Sequence, residues 1–245
     1  MHFVSPSFTI IGFGAFGKLL AQLLAPMGSI FVYDRRPEVS AEVEGTGFQL
    51  IGHPREIRSE FVIMAVPLQG LTDSLLEVGP HLGAGQVVID VCSVKEEPAR
   101  LMQDLLPQDV EIIACHPMFG PASAANGIAG LQVVLCPLRG KTWRKIAAIL
   151  RTRHLTVSVM TAEEHDRHAA LSQGLMHLIA RAILSLGEPS AVRTRSHDLL
   201  REAIEMVAYD SPEVFETITT GNRYTAEVRS KLIRSLEKVS DRELA

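Results

Sequence analysis

The sequence predicts an α/β fold: a doubly wound, mostly parallel sheet followed by a smaller all-α domain. Three observations carry this. Short β-rich runs alternate with helical stretches through the first two thirds of the chain, a glycine-rich turn joins the first run to the first helical stretch, and from Thr161 onward only helical periodicity remains. The expected strands are Phe8–Ile11, Ile30–Tyr33, Phe61–Val66, Val87–Asp90, Ile112–Cys115, Val133–Cys136 and Thr156–Val159. Helices are expected over Ala15–Met27, Leu68–Gly79, Lys95–Leu105 and Thr142–Arg153. Leu19, Leu20, Leu23 and Leu24 share one helical face and belong to the core. After the shift, Ala162–Leu186, Ser196–Tyr209 and Pro212–Leu236 read as helices. The domains are therefore 1–160 and 161–245. A bundle of roughly 85 residues covers its apolar stripes thinly, so these helices are expected to join two copies in a homodimer.

Composition narrows the function classes. The 245 residues are 47% hydrophobic and 21% charged, with a net charge of -4, which is ordinary globular composition without the field that nucleic acids or anionic membranes would require. A small-molecule partner is expected instead. No apolar run approaches the roughly 20 residues of a membrane span, and the N-terminus lacks the pattern of a signal peptide, so a cytoplasmic location is expected. Cys92, Cys115 and Cys136 are odd in number, form no C-x-x-C pair and read as buried reduced thiols.

Gly12-Phe13-Gly14-Ala15-Phe16-Gly17 is a G-x-G-x-x-G turn placed between a strand and a helix. In that context the first glycine allows the tight turn, the second lets backbone approach a pyrophosphate, and the third lets helix and strand pack. The motif thus points to a Rossmann-type dinucleotide-binding domain. Asp34 ends the next β-run, where an acidic side chain accepts from the ribose hydroxyls of NAD; Arg35 and Arg36 follow at once and leave NADP open. Val66 and Pro67 close a β-run beside the expected cofactor. Asp90-Val91-Cys92-Ser93-Val94-Lys95 ends another, where Ser93 stands either at the cofactor edge or as a helix cap. His116 follows the run Ile112–Cys115 and precedes a Pro-rich turn, a stiff and half-exposed setting suited to a general base.

These blocks, with His165-Asp166, Ser172-Gln173 and His177 after them, together resemble the prephenate and arogenate dehydrogenases of tyrosine biosynthesis. The stretch Asp90 to Pro121 is most similar to the plant-type arogenate enzymes and their bacterial relatives. The resemblance implies oxidative decarboxylation of a cyclohexadienyl acid with hydride transfer to NAD or NADP. By it, His116 is the base at the ring hydroxyl, Ser93 shares that contact and helps orient the imidazole, and His177 lies at the substrate carboxylate. Gln173 either bonds substrate or ties helices. His165, about 18 Å along the helix from His177, cannot share its ligand. No metal is expected, because the pair His165 and His168 has no third ligand.

Two departures bear on substrate. Met206 stands where many bacterial relatives carry a carboxylate-binding arginine, so Arg195 or Arg201 would have to substitute. Cys136 stands where plant-type arogenate enzymes tend to carry an aspartate at a strand end, which favours prephenate, whose side chain has no ammonium to pair. Arogenate is the rival substrate. A β-hydroxyacid dehydrogenase is disfavoured because no lysine lies between Glu164 and Tyr209, and a dinucleotide sensor without chemistry leaves Ser93 and His116 unexplained.

Overall fold

The computed structural model describes residues 5–187 and 191–239. The chain divides into two compact units, Met1–Ala162 and Glu163–Ala245.

The first unit is an eight-stranded sheet. Along the chain run β1 (Ser7–Ile11), α1 (Ala15–Leu24), β2 (Ser29–Tyr33), α2 (Val39–Val43), β3 (Gln49–Leu50), β4 (Phe61–Met64), α3 (Leu68–Val78), β5 (Val87–Asp90), α4 (Glu96–Leu105), β6 (Glu111–Pro117), β7 (Gln132–Arg139), α5 (Trp143–Thr152) and β8 (Thr156–Val159). The spatial order is β3-β2-β1-β4-β5-β6-β7-β8, and every pairing is parallel except β6 with β7. Chain order therefore reverses between β1 and β4, which opens a crevice at their carboxyl ends.

The apolar runs have this form because both faces are covered. Alternate side chains serve opposite faces: Ile11, Val62 and Met64 pack with Leu71, Leu75 and Met102 of α3 and α4, whereas Ile10, Val32 and Ile63 pack with Ala21, Val39 and Val43 of α1 and α2. Burying one such aliphatic side chain contributes about 1.5–3 kcal/mol.

The sequence reading departs from the structure in three places here. It misses β3, two exposed residues, and α2, a five-residue helix; both are too short for periodicity to register. It carries β4 to Val66, although the strand ends at Met64 and Ala65 to Pro67 form the turn into α3. It also stops β6 at Cys115 and β7 at Cys136, because a proline follows closely in each. The two strands instead pair through Pro117 and Arg139, and Pro137 lies beside the register shift between Ile112 and Ile113, where a missing N–H is tolerated.

The second unit consists of helices and the turns that join them, with no strand among its described residues. The helix α6 (Ala162–Ala169) runs through a π turn at Ala170–Gly174 into α7 (Leu175–Leu184). Then α8 (Arg195–Ala208) is capped by Thr194, whose hydroxyl accepts from the His197 N–H, and α9 (Pro212–Glu216) by Ser211 with Pro212 in its first turn. The single helix expected over Pro212–Leu236 is two. After a π turn at Thr217–Gly221 the backbone leaves helical geometry at Asn222 (φ -86, ψ 105), and α10 (Thr225–Lys238) begins anew. Asn222 causes the break: its side-chain amide donates to the Asp166 carbonyl at 2.7 Å and its carbonyl accepts from the Tyr224 N–H at 3.0 Å. Among the described residues no helix is long and apolar enough to cross a membrane.

Candidate active site

The glycine turn lies at the exit of β1. Gly12 has φ +95, and a Cβ there would stand 2.7 Å from the Ala65 carbonyl oxygen and 2.9 Å from Val66 Cγ1, so no other residue fits. A Cβ on Gly17 would stand 2.1 Å from the Gly12 carbonyl oxygen, which seats the first turn of α1 directly on the strand exit. Gly14 differs: a Cβ there meets nothing within 4 Å. It is also the N-cap of α1, with no side-chain cap and no acidic residue in the first turn. The amides of that turn therefore face an open cradle of positive potential, which fits a pyrophosphate.

Asp34 follows β2 directly. Its carboxylate accepts the Phe13 N–H at 2.7 Å and is held by Arg36 through Nε at 3.1 Å and Nη2 at 3.0 Å. Burial opposes its ionisation, but the Arg36 guanidinium and the Phe13 amide outweigh that and keep its pKa below the usual carboxylate range. A charged acceptor thus stands beside the cradle, as a ribose diol requires. Arg35 turns away toward α3, where Glu77 Oε2 accepts from its Nε at 2.6 Å and the Asp73 carbonyl from its Nη2 at 3.0 Å. Tyr33 donates to the other oxygen of Glu77 at 2.5 Å. Both arginines are therefore engaged by carboxylates, and a 2′-phosphate would face the Asp34 charge.

Farther along the same edge, β5 ends at Asp90 opposite Ala114 of β6, which runs on to Pro117. Beyond Asp90, the Cys92 thiol lies 3.7 Å from the Val66 carbonyl oxygen, which ties this loop to the wall of the glycine turn. Ser93 is half-buried in the loop, and α4 is capped at Lys95 with no side-chain bond, so Ser93 does not cap it. Asp90 and Lys95 form a fully buried ion pair beneath. His116 lies within β6, opposite Val134, and only 3% exposed, so its setting is buried strand and not the half-exposed turn expected. Three residues on, the Phe119 ring lies 6.5 Å from the Phe16 ring of α1.

In the helical unit, His177 is buried on α7. Its Nδ1 donates to the Gln173 carbonyl at 2.8 Å and its Nε2 meets Asp210 Oδ2 at 3.0 Å. Arg181, one turn on, lies 4.5 Å from the centre of the Phe215 ring and lines the same small pocket with His177, Ala180 and Asp210. That pocket holds about 40 Å³, room for a water and not for a carbocycle. Gln173 is half-buried, and its Oε1 has no hydrogen-bond partner among the described residues.

Comparison with known proteins gives the family and the fold. Residues 21–175 match the family described as prephenate dehydrogenase, nucleotide-binding domain. The chain belongs to the prephenate dehydrogenase family. The matched stretch begins inside α1, past the glycine turn, so the cradle is evidence independent of it. Arogenate dehydrogenase 2, chloroplastic, of Arabidopsis thaliana is 28% identical over 243 residues, covering 94% of this chain and 68% of that protein. A probable arogenate/prephenate dehydrogenase of Methanocaldococcus jannaschii is 26% identical over 94% of this chain and 55% of its own length. The fold matches the crystal structure of a prephenate dehydrogenase from A. aeolicus in complex with hydroxyphenyl propionate and NAD+, with TM-score 0.77 and 18% identity over 97% of this chain and 90% of that one.

Within this member of the prephenate dehydrogenase family, several expected site residues take other places. Phe13 is 2% exposed in the core, its ring edge-on to Phe48 and its N–H already given to Asp34, so its side chain builds the turn and does not line the cleft. Cys136 is not at a strand end. Because β7 runs antiparallel, Cys136 lies inside the sheet opposite Ala114, 1% exposed, and no polar ligand reaches it there. Arg195 lies on the exposed start of α8, 3.6 Å from Glu202 and outside the His177 pocket; Arg201 pairs with Glu205. The cation beside His177 is Arg181, which the sequence reading overlooked although its i, i+4 spacing from His177 places both on one face. His165 is a buried tie, its Nδ1 2.7 Å from Asp166 Oδ1. Ala15 and Phe16 at the start of α1, and Val66 and Pro67 in the turn after β4, are exposed or half-buried, and Cys92 and Cys115 are buried thiols whose pKa burial pushes up to about 12.

Proposed function

We propose that this protein oxidises prephenate to 4-hydroxyphenylpyruvate, releasing carbon dioxide and reducing NAD. One observation carries the reading: Ser93 and His116 emerge from adjacent strands at the same sheet edge as the Gly14 cradle and Asp34. Gly12, Gly14, Gly17 and the first turn of α1 would hold the pyrophosphate, and Asp34 the adenosine ribose. When bound, the nicotinamide accepts the hydride.

His116 takes the proton of the ring hydroxyl as the hydride leaves the carbon that bears it, and Ser93 shares that hydroxyl contact. The electrons of the opposite C–C bond enter the ring as carbon dioxide departs, which leaves a phenolate that takes the proton back from His116, so the products are 4-hydroxyphenylpyruvate, carbon dioxide and the reduced dinucleotide. Aromatisation drives the step, and the side chains have only to orient the substrate and move the proton. In the helical unit, Arg181 and His177 have the chemistry an anionic carboxylate needs, and Gln173 Oε1 can accept from a hydroxyl.

Arogenate is the second reading, favoured by the likeness to the Arabidopsis enzyme. Cys136, 1% exposed within the sheet, supplies no carboxylate that could pair with the arogenate ammonium, which supports the prephenate reading. The deciding experiment is a steady-state matrix of prephenate and arogenate against NAD and NADP. Turnover of prephenate with NAD is expected to lead, and inactivity in all four combinations would refute the enzyme. In the same matrix Asp34→Ser should narrow the preference for NAD over NADP by about tenfold, the loss of roughly one charge-assisted bond pair; an unchanged ratio would remove Asp34 from cofactor choice.

The helical unit also supports a homodimer. Twelve of the sixteen large apolar side chains exposed among the described residues lie in it, including Leu186 at 85% and Tyr209 at 89%. Sedimentation at the mass of two chains is the expected result, and a monomer at micromolar concentration would exclude it.

A further inference from the structure

We propose that the buried ion pair of Asp90 and Lys95 is a positioning element that holds the Ser93 loop and the His116 strand in register. The inference rests on the dehydrogenase reading above and names residues that reading leaves without a role.

Both side chains are 0% exposed. A buried ion pair is weak evidence for stability, because well-packed apolar side chains of the same volume do as well or better. Its bonds show a different use. Asp90 Oδ1 accepts the Cys92 N–H at 2.9 Å, Asp90 Oδ2 accepts the Cys115 N–H at 3.3 Å, and Lys95 Nζ donates to the Cys115 carbonyl at 2.7 Å. Cys92 immediately precedes Ser93, and Cys115 immediately precedes His116. The backbone ladder between β5 and β6 ends at Asp90 opposite Ala114. Past that point these side chains make the cross-strand bonds that backbone makes below it, so the pair continues the register to the two residues that meet the ring hydroxyl.

The electrostatics fit a fixed clamp. Burial works against the Lys95 ammonium, but the Asp90 carboxylate outweighs it and raises the lysine above its ordinary pKa. The Cys92 and Cys115 thiols, which also act on Lys95, stay protonated at neutral pH. Lys95 is also the N-cap of α4, so the loop carrying Ser93 is pinned at both ends.

The test is the double variant Asp90→Asn/Lys95→Met, which removes both charges together and strands neither. Its thermal midpoint should return close to wild type, above both single variants. Turnover should nevertheless stay about tenfold to a hundredfold down with the dinucleotide KM within about twofold, the signature of a displaced reacting group. The ring ¹H–¹⁵N signals of His116, assigned by their loss in His116→Asn, should shift while those of His165 and His177 hold. Recovery of turnover together with stability, and unmoved His116 signals, would reduce the pair to packing and overturn the proposal. If the double variant does not fold, Asp90→Asn alone, which keeps shape and one acceptor, is read by the His116 signals and by turnover against the dinucleotide KM. Should the wild type oxidise neither acid, the enzyme reading falls on its own, and the His116 signals still decide the clamp.

Discussion

Replacing His116 with asparagine is expected to lower turnover by about 10²–10⁴, the range for a lost general base, while leaving dinucleotide affinity within about twofold. The substitution suits the site. Asparagine keeps a hydrogen-bonding side chain of smaller volume in the slot opposite Val134, so β6 can stay paired with β7, but its amide cannot take a proton near neutral pH. Two measurements separate chemistry from folding: steady-state rates with prephenate, and titration of reduced dinucleotide by its fluorescence. Rates near wild type in a folded variant would remove His116 from the mechanism, and equal losses in rate and dinucleotide affinity would indicate a collapsed edge.

The glycine turn yields the second large effect as a contrast. Gly17→Ala places a methyl 2.1 Å from the Gly12 carbonyl oxygen, so α1 must lift from β1. Overpacking against backbone should cost about 3 kcal/mol, a fall of roughly 6–12 °C in thermal midpoint for a chain of this size. Gly14→Ala places its methyl where nothing lies within 4 Å, so stability should hold within about 0.5 kcal/mol. Dinucleotide affinity should fall about tenfold or more in that variant, because the methyl occupies the space a pyrophosphate would take. Full affinity in a stable Gly14→Ala protein would mean that the cradle is not a binding site.

Much of this arrangement is legible in the sequence because it is local. Gly12 to Gly17, Asp34, Ser93 and His116 each stand at or near the end of an apolar run, and parallel strands bring such ends to one edge. The errors come from information the chain does not carry locally. Cys136 looks like a strand end because Pro137 follows it; only the antiparallel direction of β7, set by tertiary pairing, shows that its place is inside the sheet. Phe13 sits within a binding motif, yet its side chain fills the core, which a motif cannot state. The clamp of Glu77 on Arg35 joins residues 42 positions apart, and no spacing rule predicts it. Arg181 is legible in principle, since it falls one turn from His177, whereas Arg195 is nearer in sequence to Met206 but lies on the exposed start of α8.

The antiparallel pairing of β6 has one more outcome. Pairing with β7 runs past His116 to Pro117, and the Met118 N–H closes it on the Gln132 carbonyl at 2.9 Å. The connecting stretch from residue 119 to 131 is thus anchored at its base. Insertions or deletions along its outer part can be absorbed without shifting the His116 side chain, so this loop can vary in length while β6 and β7 stay paired.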